Sequence, residues 1–176
     1  MKNIISTSLV AAALLVSGAS LSTAKMPAKA DTAAPAMNMD KGSFVKQVQS
    51  SNMFEIESSK LAQQKARDGD VKEFAQQMIK DHTKAGKDLK SAAKVDADGM
   101  LSPKHAAMLE TLKGASEQEF QPLYIEMQNV AHMEAVTLFA TYAKGGDDDA
   151  TKTFAKKTLP TLEMHKMHVA KLVAAH

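Results

Sequence analysis

The sequence predicts an all-α protein that folds as a four-helix bundle. Alanine, leucine, methionine, lysine, glutamine and glutamate dominate its 176 residues, aromatic residues make up only 5%, and tryptophan is absent. The dominant residues favour helices, whereas strands are rich in β-branched and aromatic side chains. A hydrophobic content of 44% can supply the core of one compact domain of this length, so a single domain is expected.

Start and stop signals place two helices in the first half of the chain. Ser43 is expected to cap a helix that ends near Arg67, where Asp68-Gly69 can close it. The segment Asp70-Val71-Lys72-Glu73 has the form of a capping box, which predicts a second helix to about Lys94. The two helices are therefore joined by a tight turn.

The second half of the chain has two more long helices after a long connection. Ser102-Pro103 is a start signal for a short helix within this connection. Ser116-Glu117-Gln118-Glu119 is a further capping box, and it predicts a helix that ends at Gly145-Gly146. The last helix follows Asp147-Asp148-Asp149, whose negative charge suits a helix N-terminus, and it is expected to bend at Pro160.

The order of these elements predicts the topology of the bundle. Two tight helical hairpins are joined by one long crossover that contains a short helix. This is the arrangement of ferritin-like four-helix bundles.

The N-terminus has the features of an export signal. Lys2 is followed by an apolar segment from Ile4 to Val16 and by small residues that end at Ser22-Thr23-Ala24. The apolar segment is shorter than the roughly 20 residues of a spanning helix, which favours a cleaved signal peptide over a membrane anchor. We therefore predict a signal peptide over residues 1–24 and a periplasmic or secreted product, with no membrane span after cleavage.

The residues after the signal peptide predict where the folded domain begins. Residues 25–42 are rich in alanine, proline, lysine and methionine and have no helical period, so a flexible leader is expected there. The ferritin-like domain is then expected over residues 43–176.

Charge and cysteine content exclude several classes of function. The formal net charge is only +2, and no run of lysine and arginine alternates with aromatic residues, so nucleic acid is not an expected partner. The chain contains no cysteine, which excludes disulfides, thiolate ligands and a cysteine nucleophile. Any metal site must therefore use histidine, carboxylate or methionine ligands.

Each of the four long helices carries one potential metal ligand on its apolar face. At about 100° per residue, apolar side chains surround Glu55, His82, His132 and His165. Glu55 precedes the first hairpin turn by about as many residues as His82 follows it, so these two are expected at one height in the bundle. His132 also falls near the middle, whereas His165 is expected about one turn away unless Pro160 shifts its register. His105 and His176 are expected to be solvated.

Buried carboxylate and imidazole groups need a cause, because they are costly unless they are paired, hydrogen-bonded or bound to a metal. One interpretation is that these four residues hold a single transition-metal ion. Histidine and carboxylate ligands suit Fe, Zn, Mn and Cu, so the ion could be any of these. The other interpretation is a metal-free hydrogen-bond network between glutamate and histidine that sets the register of the helices.

Three segments and one further histidine resemble a known family. They are Asn52-Met53-Phe54-Glu55-Ile56-Glu57, Phe74 to Thr83 with its Met-Ile-x-Asp-His-Thr ending, Leu159 to His165, and His132. From about Phe44 to Val173 the chain is similar to exported bacterial ferritin-like bundles that carry a domain of unknown function and are often labelled outer membrane proteins. The resemblance implies the fold and export to the cell envelope, but it implies no biochemical activity.

The sequence differs from di-iron ferritins at the positions that would carry bridging carboxylates. Those proteins place a glutamate three residues before a histidine on two helices. Here the corresponding residues are Ile79, Asn129 and Leu162. Ferroxidase chemistry is therefore not expected.

A methionine-rich segment offers a separate interpretation. Met164-His165-Lys166-Met167-His168 places two thioethers and two imidazoles within about one helical turn, and such groups can hold copper. The alternative is that these methionines fill gaps in the core, which is their usual role. Helical geometry places Met167 away from the core and His168 at its edge.

The sequence therefore predicts a periplasmic or secreted module for binding or stress protection, with one metal ion in its core, rather than an enzyme. The alternative is a metal-free structural or interaction protein that binds another protein of the cell envelope. Metal content distinguishes the two.

Overall fold

The computed structural model describes residues 39–96 and 98–176, which contain five α-helices and no strand. The predicted signal peptide and most of the predicted leader lie outside the described residues. The helices are α1 (Lys41–Lys65), α2 (Gly69–Ala93), α3 (Pro103–Gly114), α4 (Glu117–Gly145) and α5 (Asp149–Ala175). The all-α prediction is confirmed.

The four long helices form a closed ring around one core. Helix α1 packs against α2 and α4, and α5 packs against the same two helices. The short helix α3 belongs to the crossover between the two hairpins and packs on α1 and α4. The predicted bundle of two hairpins and one long crossover is therefore confirmed. Within the described residues, no helix has the length and apolar character needed to cross a membrane.

The first two helix starts differ from the sequence prediction. Asp40, not Ser43, caps α1, and its Oδ1 accepts a hydrogen bond from the Ser43 backbone N–H at 2.9 Å. Helix α2 begins at Gly69 with Asp68 at the cap position, so the predicted capping box at Asp70 is wrong.

The reason for the second difference is a contact with α4. The Gln121 side chain accepts hydrogen bonds from the backbone N–H groups of Arg67 and Asp68 at 3.0 and 3.1 Å. Its amide also donates to the Asp68 carboxylate at 2.6 Å. This tertiary contact fixes the turn, and the Asp68 side chain makes no capping bond of its own. The described glycines all have negative φ, so Gly69 does not close α1 in a left-handed conformation.

The other predicted caps agree with the structure. Ser116 and Glu119 form the predicted capping box at the start of α4. Ser102 accepts from the backbone N–H of His105 at the start of α3, and Asp148 accepts from that of Thr151 at the start of α5. Pro160 lies inside α5, which continues to Ala175.

The core consists of two apolar clusters with polar side chains between them. One cluster lies toward the α1–α2 turn and includes Phe54, Phe74, Met78, Phe120, Tyr124 and Val169. The other lies toward the opposite end and includes Phe44, Val48, Leu89, Phe139, Tyr142 and Leu162. The buried polar side chains between them come from all four long helices and include Asn52, Glu55, His82, Gln128, His132 and His165.

Candidate metal centre

Three histidines from three helices meet in the polar layer of the core. His82 comes from α2, His132 from α4 and His165 from α5, and their exposed fractions are 5%, 0% and 4%. The ring centroids are 5.4 to 5.7 Å apart. One ring nitrogen from each residue can be chosen so that all three nitrogens lie within 4.8 Å of one another. We call these residues the histidine triad.

Each ring of the triad is held by a hydrogen bond on its outer nitrogen. His82 Nδ1 bonds the Asn52 side-chain oxygen at 2.8 Å, and His132 Nδ1 bonds the backbone oxygen of Gln128 at 2.9 Å. His165 Nε2 bonds the Asp81 carboxylate at 2.9 Å. All three partners are oxygens that only accept, so the outer nitrogen must be the donor in each pair.

The second nitrogen of each ring is left unprotonated and without a partner. An imidazole that is neutral and donates from one nitrogen has a free lone pair on the other. The nitrogens in question are His82 Nε2, His132 Nε2 and His165 Nδ1, and none of them has a hydrogen-bond partner within the part of the chain that the structure describes. Three buried lone pairs are therefore gathered in one place without a proton donor.

Burial keeps the triad in the neutral form. It lowers the pKa of His82 well below the usual histidine value, and the neighbouring imidazoles lower it further. Burial also lowers the pKa of His132 to about 4, against the raising effect of its backbone hydrogen bond. The pKa of His165 is lowered by burial as well, although Asp81 opposes this shift. Neutral imidazole is the form that binds metal ions.

Asn52 and Gly86 fix the position of His82. The Asn52 amide also donates to the backbone oxygen of His82 at 2.7 Å, so one side chain holds both the ring and the backbone. A Cβ atom at Gly86 would lie 2.8 Å from the Asn52 nitrogen. The missing side chain at Gly86 therefore makes room for the Asn52 amide between α1 and α2.

Asp81 connects the triad to the surface. Its side chain is 20% exposed, accepts from His165, and also accepts from the Gln77 amide at 2.5 Å. A carboxylate behind a ligating histidine is a common arrangement in metal sites, because it sets the ring orientation and makes the free nitrogen more basic.

Glu55, the fourth predicted ligand, lies beside the triad but does not belong to it. Its Oε1 is 3.9 Å from His132 Nδ1, which is the outer nitrogen of that ring. The carboxyl group is 1% exposed, and burial raises its pKa to about 8 while Gln128 opposes the shift. Glu55 is therefore mostly protonated at neutral pH, and this protonated carboxyl group adds no negative charge to the site.

A buried polar network surrounds Glu55. The Gln128 amide donates to Ser58 Oγ at 3.1 Å, and Ser58 Oγ donates to the Glu55 backbone oxygen at 3.3 Å. Ser59 and Tyr124 share a hydrogen bond at 2.9 Å in the same layer. Gln128 Oε1 and Glu55 Oε2 have no partner among the described residues.

A groove of about 310 Å³ between α1 and α2 reaches the site from outside. Asn52, His82 and Gly86 are among the residues that line it. Because His82 lines this groove, the groove gives one approach to the triad from solvent.

Sequence reasoning found the three histidines but ranked the candidates differently. Counting residues along the helices favoured Glu55 and placed His165 about one turn off, whereas the structure places His165 in the triad. Asn52, Asp81 and the backbone of Gln128 were not identified as partners of the histidines. The sequence signal that could have identified Asp81 was its position directly before His82, at the edge of the inward face of α2.

The three remaining histidines of the described chain, His105, His168 and His176, lie outside the triad. His105 was expected to be solvated, but it is half-buried, stacked on Phe54 with centroids 5.4 Å apart, and bonded through Nδ1 to Ser50 Oγ at 2.7 Å. Ser50 Oγ also accepts from the Ser102 backbone N–H at 2.8 Å. This contact fixes the crossover to α1. His176, also expected to be solvated, has a partly exposed side chain whose Nδ1 lies 3.3 Å from the Asp68 carboxylate.

The donor set fits one metal ion and does not fit a di-iron centre. Three imidazole nitrogens at about 2.0 Å from a metal would lie about 3.3 Å apart in tetrahedral geometry, so the rings need only a small inward movement. The residues three positions before the histidines are Ile79, Asn129 and Leu162, none of which can bridge two irons.

Fold and site together define an all-helical bundle with a buried three-histidine cluster. The chain belongs to the family described as domain of unknown function (DUF4142), which it matches over residues 26–172. The resemblance to a family with a domain of unknown function is thereby confirmed. No curated protein matches the chain.

A solved structure has a similar fold. It is described as "CopM in the Cu(II)-bound form", and it superposes with a TM-score of 0.65 at 19% sequence identity. The similarity covers 77% of this chain and 97% of that chain. At this identity the comparison supports the fold.

Proposed function

We propose that this protein is an exported metal-binding module that holds one transition-metal ion through His82, His132 and His165. The unpartnered nitrogens of the triad carry the proposal. A buried acceptor without a hydrogen bond costs about 1–3 kcal/mol, so three of them in one cluster would be a large cost without a ligand. One cation that accepts three lone pairs removes this cost.

The donor chemistry narrows the choice of ion. Three neutral imidazoles suit Zn, Cu and Fe, whereas Mn prefers oxygen ligands, which the triad lacks. A protein of similar fold has been solved with Cu(II) bound, so copper is the first ion to test. Glu55 is mostly protonated at neutral pH, so it adds no negative charge that would favour a hard ion such as Mn over Zn, Cu or Fe.

The export part of the proposal depends on residues 1–24. Their basic start, apolar segment and small residues before the expected cleavage point favour a signal peptide, which would deliver the domain to the periplasm or the medium. N-terminal sequencing of the protein from the cell envelope fraction tests this. We expect the mature chain to begin at Lys25, and an intact Met1 would contradict export with cleavage.

The metal proposal is tested by elemental analysis of protein purified without chelator and without a histidine tag. The wild type is compared with His82→Gln, which removes one triad nitrogen, and with His176→Gln, which removes a histidine outside the triad. We expect about one metal ion per chain in the wild type and in His176→Gln, and a loss of most of it in His82→Gln. Equal metal in all three proteins, or none after loading with Cu(II) and Zn(II), would contradict the proposal.

The second candidate is a metal-free structural protein whose polar core layer sets helix register. The network of Glu55, Ser58 and Gln128 favours it, because buried polar contacts between α1 and α4 can specify one packing of the helices. In that case His82→Gln would change stability only, and the surface would carry the function by binding an envelope partner.

A further inference from the structure

One turn of α5 presents two thioethers and an imidazole to solvent, on the outer side of the helix that carries His165. We propose that Met164, Met167 and His168 form a second metal site that binds one soft monovalent ion, of the Cu(I) or Ag(I) class. This site does not require the histidine triad to be occupied.

Exposure of the methionines is the first observation. Met164 and Met167 are 56% and 58% exposed, whereas Met78 in the core is fully buried. The described residues include five exposed large hydrophobic side chains, and four of them are methionines: Met100, Met133, Met164, Met167 and Val173. Gap-filling in the core does not explain a methionine whose side chain is in water.

Spacing along α5 is the second observation. Residues three and four apart on a helix are neighbours, with Cβ atoms about 5–6 Å apart. Met164 is therefore next to both Met167 and His168 on the helix surface. Two methionine side chains with three rotatable bonds each can reach an ion beside the imidazole without any change in the helix.

The state of His168 is the third observation. Its ring stands edge-on to Phe74 of α2, with centroids 5.1 Å apart and an interplanar angle of 82°. Among residues 39–96 and 98–176, neither ring nitrogen has a hydrogen-bond partner. The imidazole is thus positioned by a ring contact and keeps its nitrogens available for a ligand.

Ligand chemistry defines the class of ion. Thioethers are soft donors that select Cu(I) and related ions over Zn(II) or Mn(II). The triad offers only nitrogen donors in a closed space, whereas the outer site offers sulfur on an exposed surface. The two sites therefore differ in the ions that they prefer.

The test is a titration of the protein with Ag(I) in chloride-free buffer, followed by NMR of 13C-methyl-labelled methionine. We expect the methyl signals of Met164 and Met167 to shift and to saturate at one equivalent. Met164→Leu/Met167→Leu should lower the Ag(I) affinity about tenfold or more. His168→Asn, which keeps both thioethers, should weaken binding less.

A matched control separates a site from general methionine reactivity. Met100→Leu/Met133→Leu removes two other exposed methionines and should leave the titration unchanged. The methyl signals of Met164 and Met167 report on this outer site alone, so failure of the triad proposal does not affect this result. Equal Ag(I) affinity in Met164→Leu/Met167→Leu and wild type, or equal shifts of all exposed methionine signals, would overturn the proposal.

Discussion

At the scale of single residues, the acceptors around the triad decide its chemistry. A carbonyl or carboxylate oxygen on the outer nitrogen of each ring leaves only the inner nitrogen with a lone pair. Loss of one such partner would let the ring rotate or change tautomer. In known metal sites such a loss lowers metal affinity by about 10–100-fold.

Gly86→Ala tests this orientation without touching a ligand. The new Cβ would lie 2.8 Å from the Asn52 nitrogen, so the amide must move and give up its bonds to His82. We expect metal affinity to fall by about 10–100-fold, measured by competition with a chelator of known affinity. Gly69→Ala is the control, because a Cβ there contacts nothing within 4 Å. Equal affinities in the two variants would contradict the role of Asn52.

Glu55→Gln tests the buried carboxyl group through pH. Burial raises the folded-state pKa of Glu55 from 4.5 to about 8, so the folded protein binds this proton more tightly than the unfolded chain does. Protonation of Glu55 therefore stabilises the fold at low pH. This contribution to the free energy of unfolding is lost as pH rises from the lower to the higher pKa, by up to about 1.4 kcal/mol per pH unit. Glu55→Gln should therefore gain stability relative to wild type as pH rises from 5 to 8. Urea unfolding at several pH values measures this, and parallel curves would contradict it.

At the scale of helices, local sequence signals located the starts of α3, α4 and α5 but missed the caps of α1 and α2. Ser102 and Ser116 cap helices as predicted, and Asp148, one of the three aspartates predicted at the N-terminus of α5, caps that helix. Each bonds a backbone group of its own first turn. Asp68 is different, since its carboxylate is engaged by Gln121, which is 53 residues away in sequence. A contact of that kind is not visible in a local pattern.

Ser116→Ala tests the capping box of α4. It removes the hydroxyl that accepts from the Glu119 backbone N–H, while the Ser116 backbone N–H keeps its bond to the Glu119 carboxylate. We expect a loss of about 1 kcal/mol in the free energy of unfolding. Metal affinity should not change, because α4 remains packed in the ring of helices. Ser91→Ala, at an exposed position inside α2, is the control and should be neutral or slightly stabilising. A similar loss in both variants would argue against a specific capping effect.

At the scale of the whole molecule, the site depends on how the two hairpins meet. Periodicity placed all three histidines on inward faces, and the order of the helices placed His82 and His132 near mid-height. The sequence could not show that α5 brings His165 level with His82, because that register depends on packing across α2 and α5. The same holds for Asn52 and Asp81, whose partners lie on neighbouring helices.

Acid should destabilise the metal-free protein through the triad. Burial holds the pKa values of these histidines below the unfolded value, to about 4 for His132, so the unfolded chain binds more protons as pH falls below about 6.5. Because Glu55 acts in the opposite direction over this range, the test is the difference between proteins: we expect the urea midpoint of His132→Asn to rise relative to that of wild type as pH falls from 7 to 5. An identical pH dependence of the urea midpoint in His132→Asn and wild type would contradict the lowered pKa of His132.

The most direct measurement of the central claim is X-ray absorption spectroscopy of the protein with one equivalent of its retained ion, or of Cu(II) if it retains none. We expect three imidazole nitrogens at about 2.0 Å from the metal. His82→Gln should lose one of them, and His176→Gln should keep all three. A first shell made of oxygen alone, or of sulfur at about 2.3 Å, would show that the ion binds elsewhere and that the triad is not the metal site.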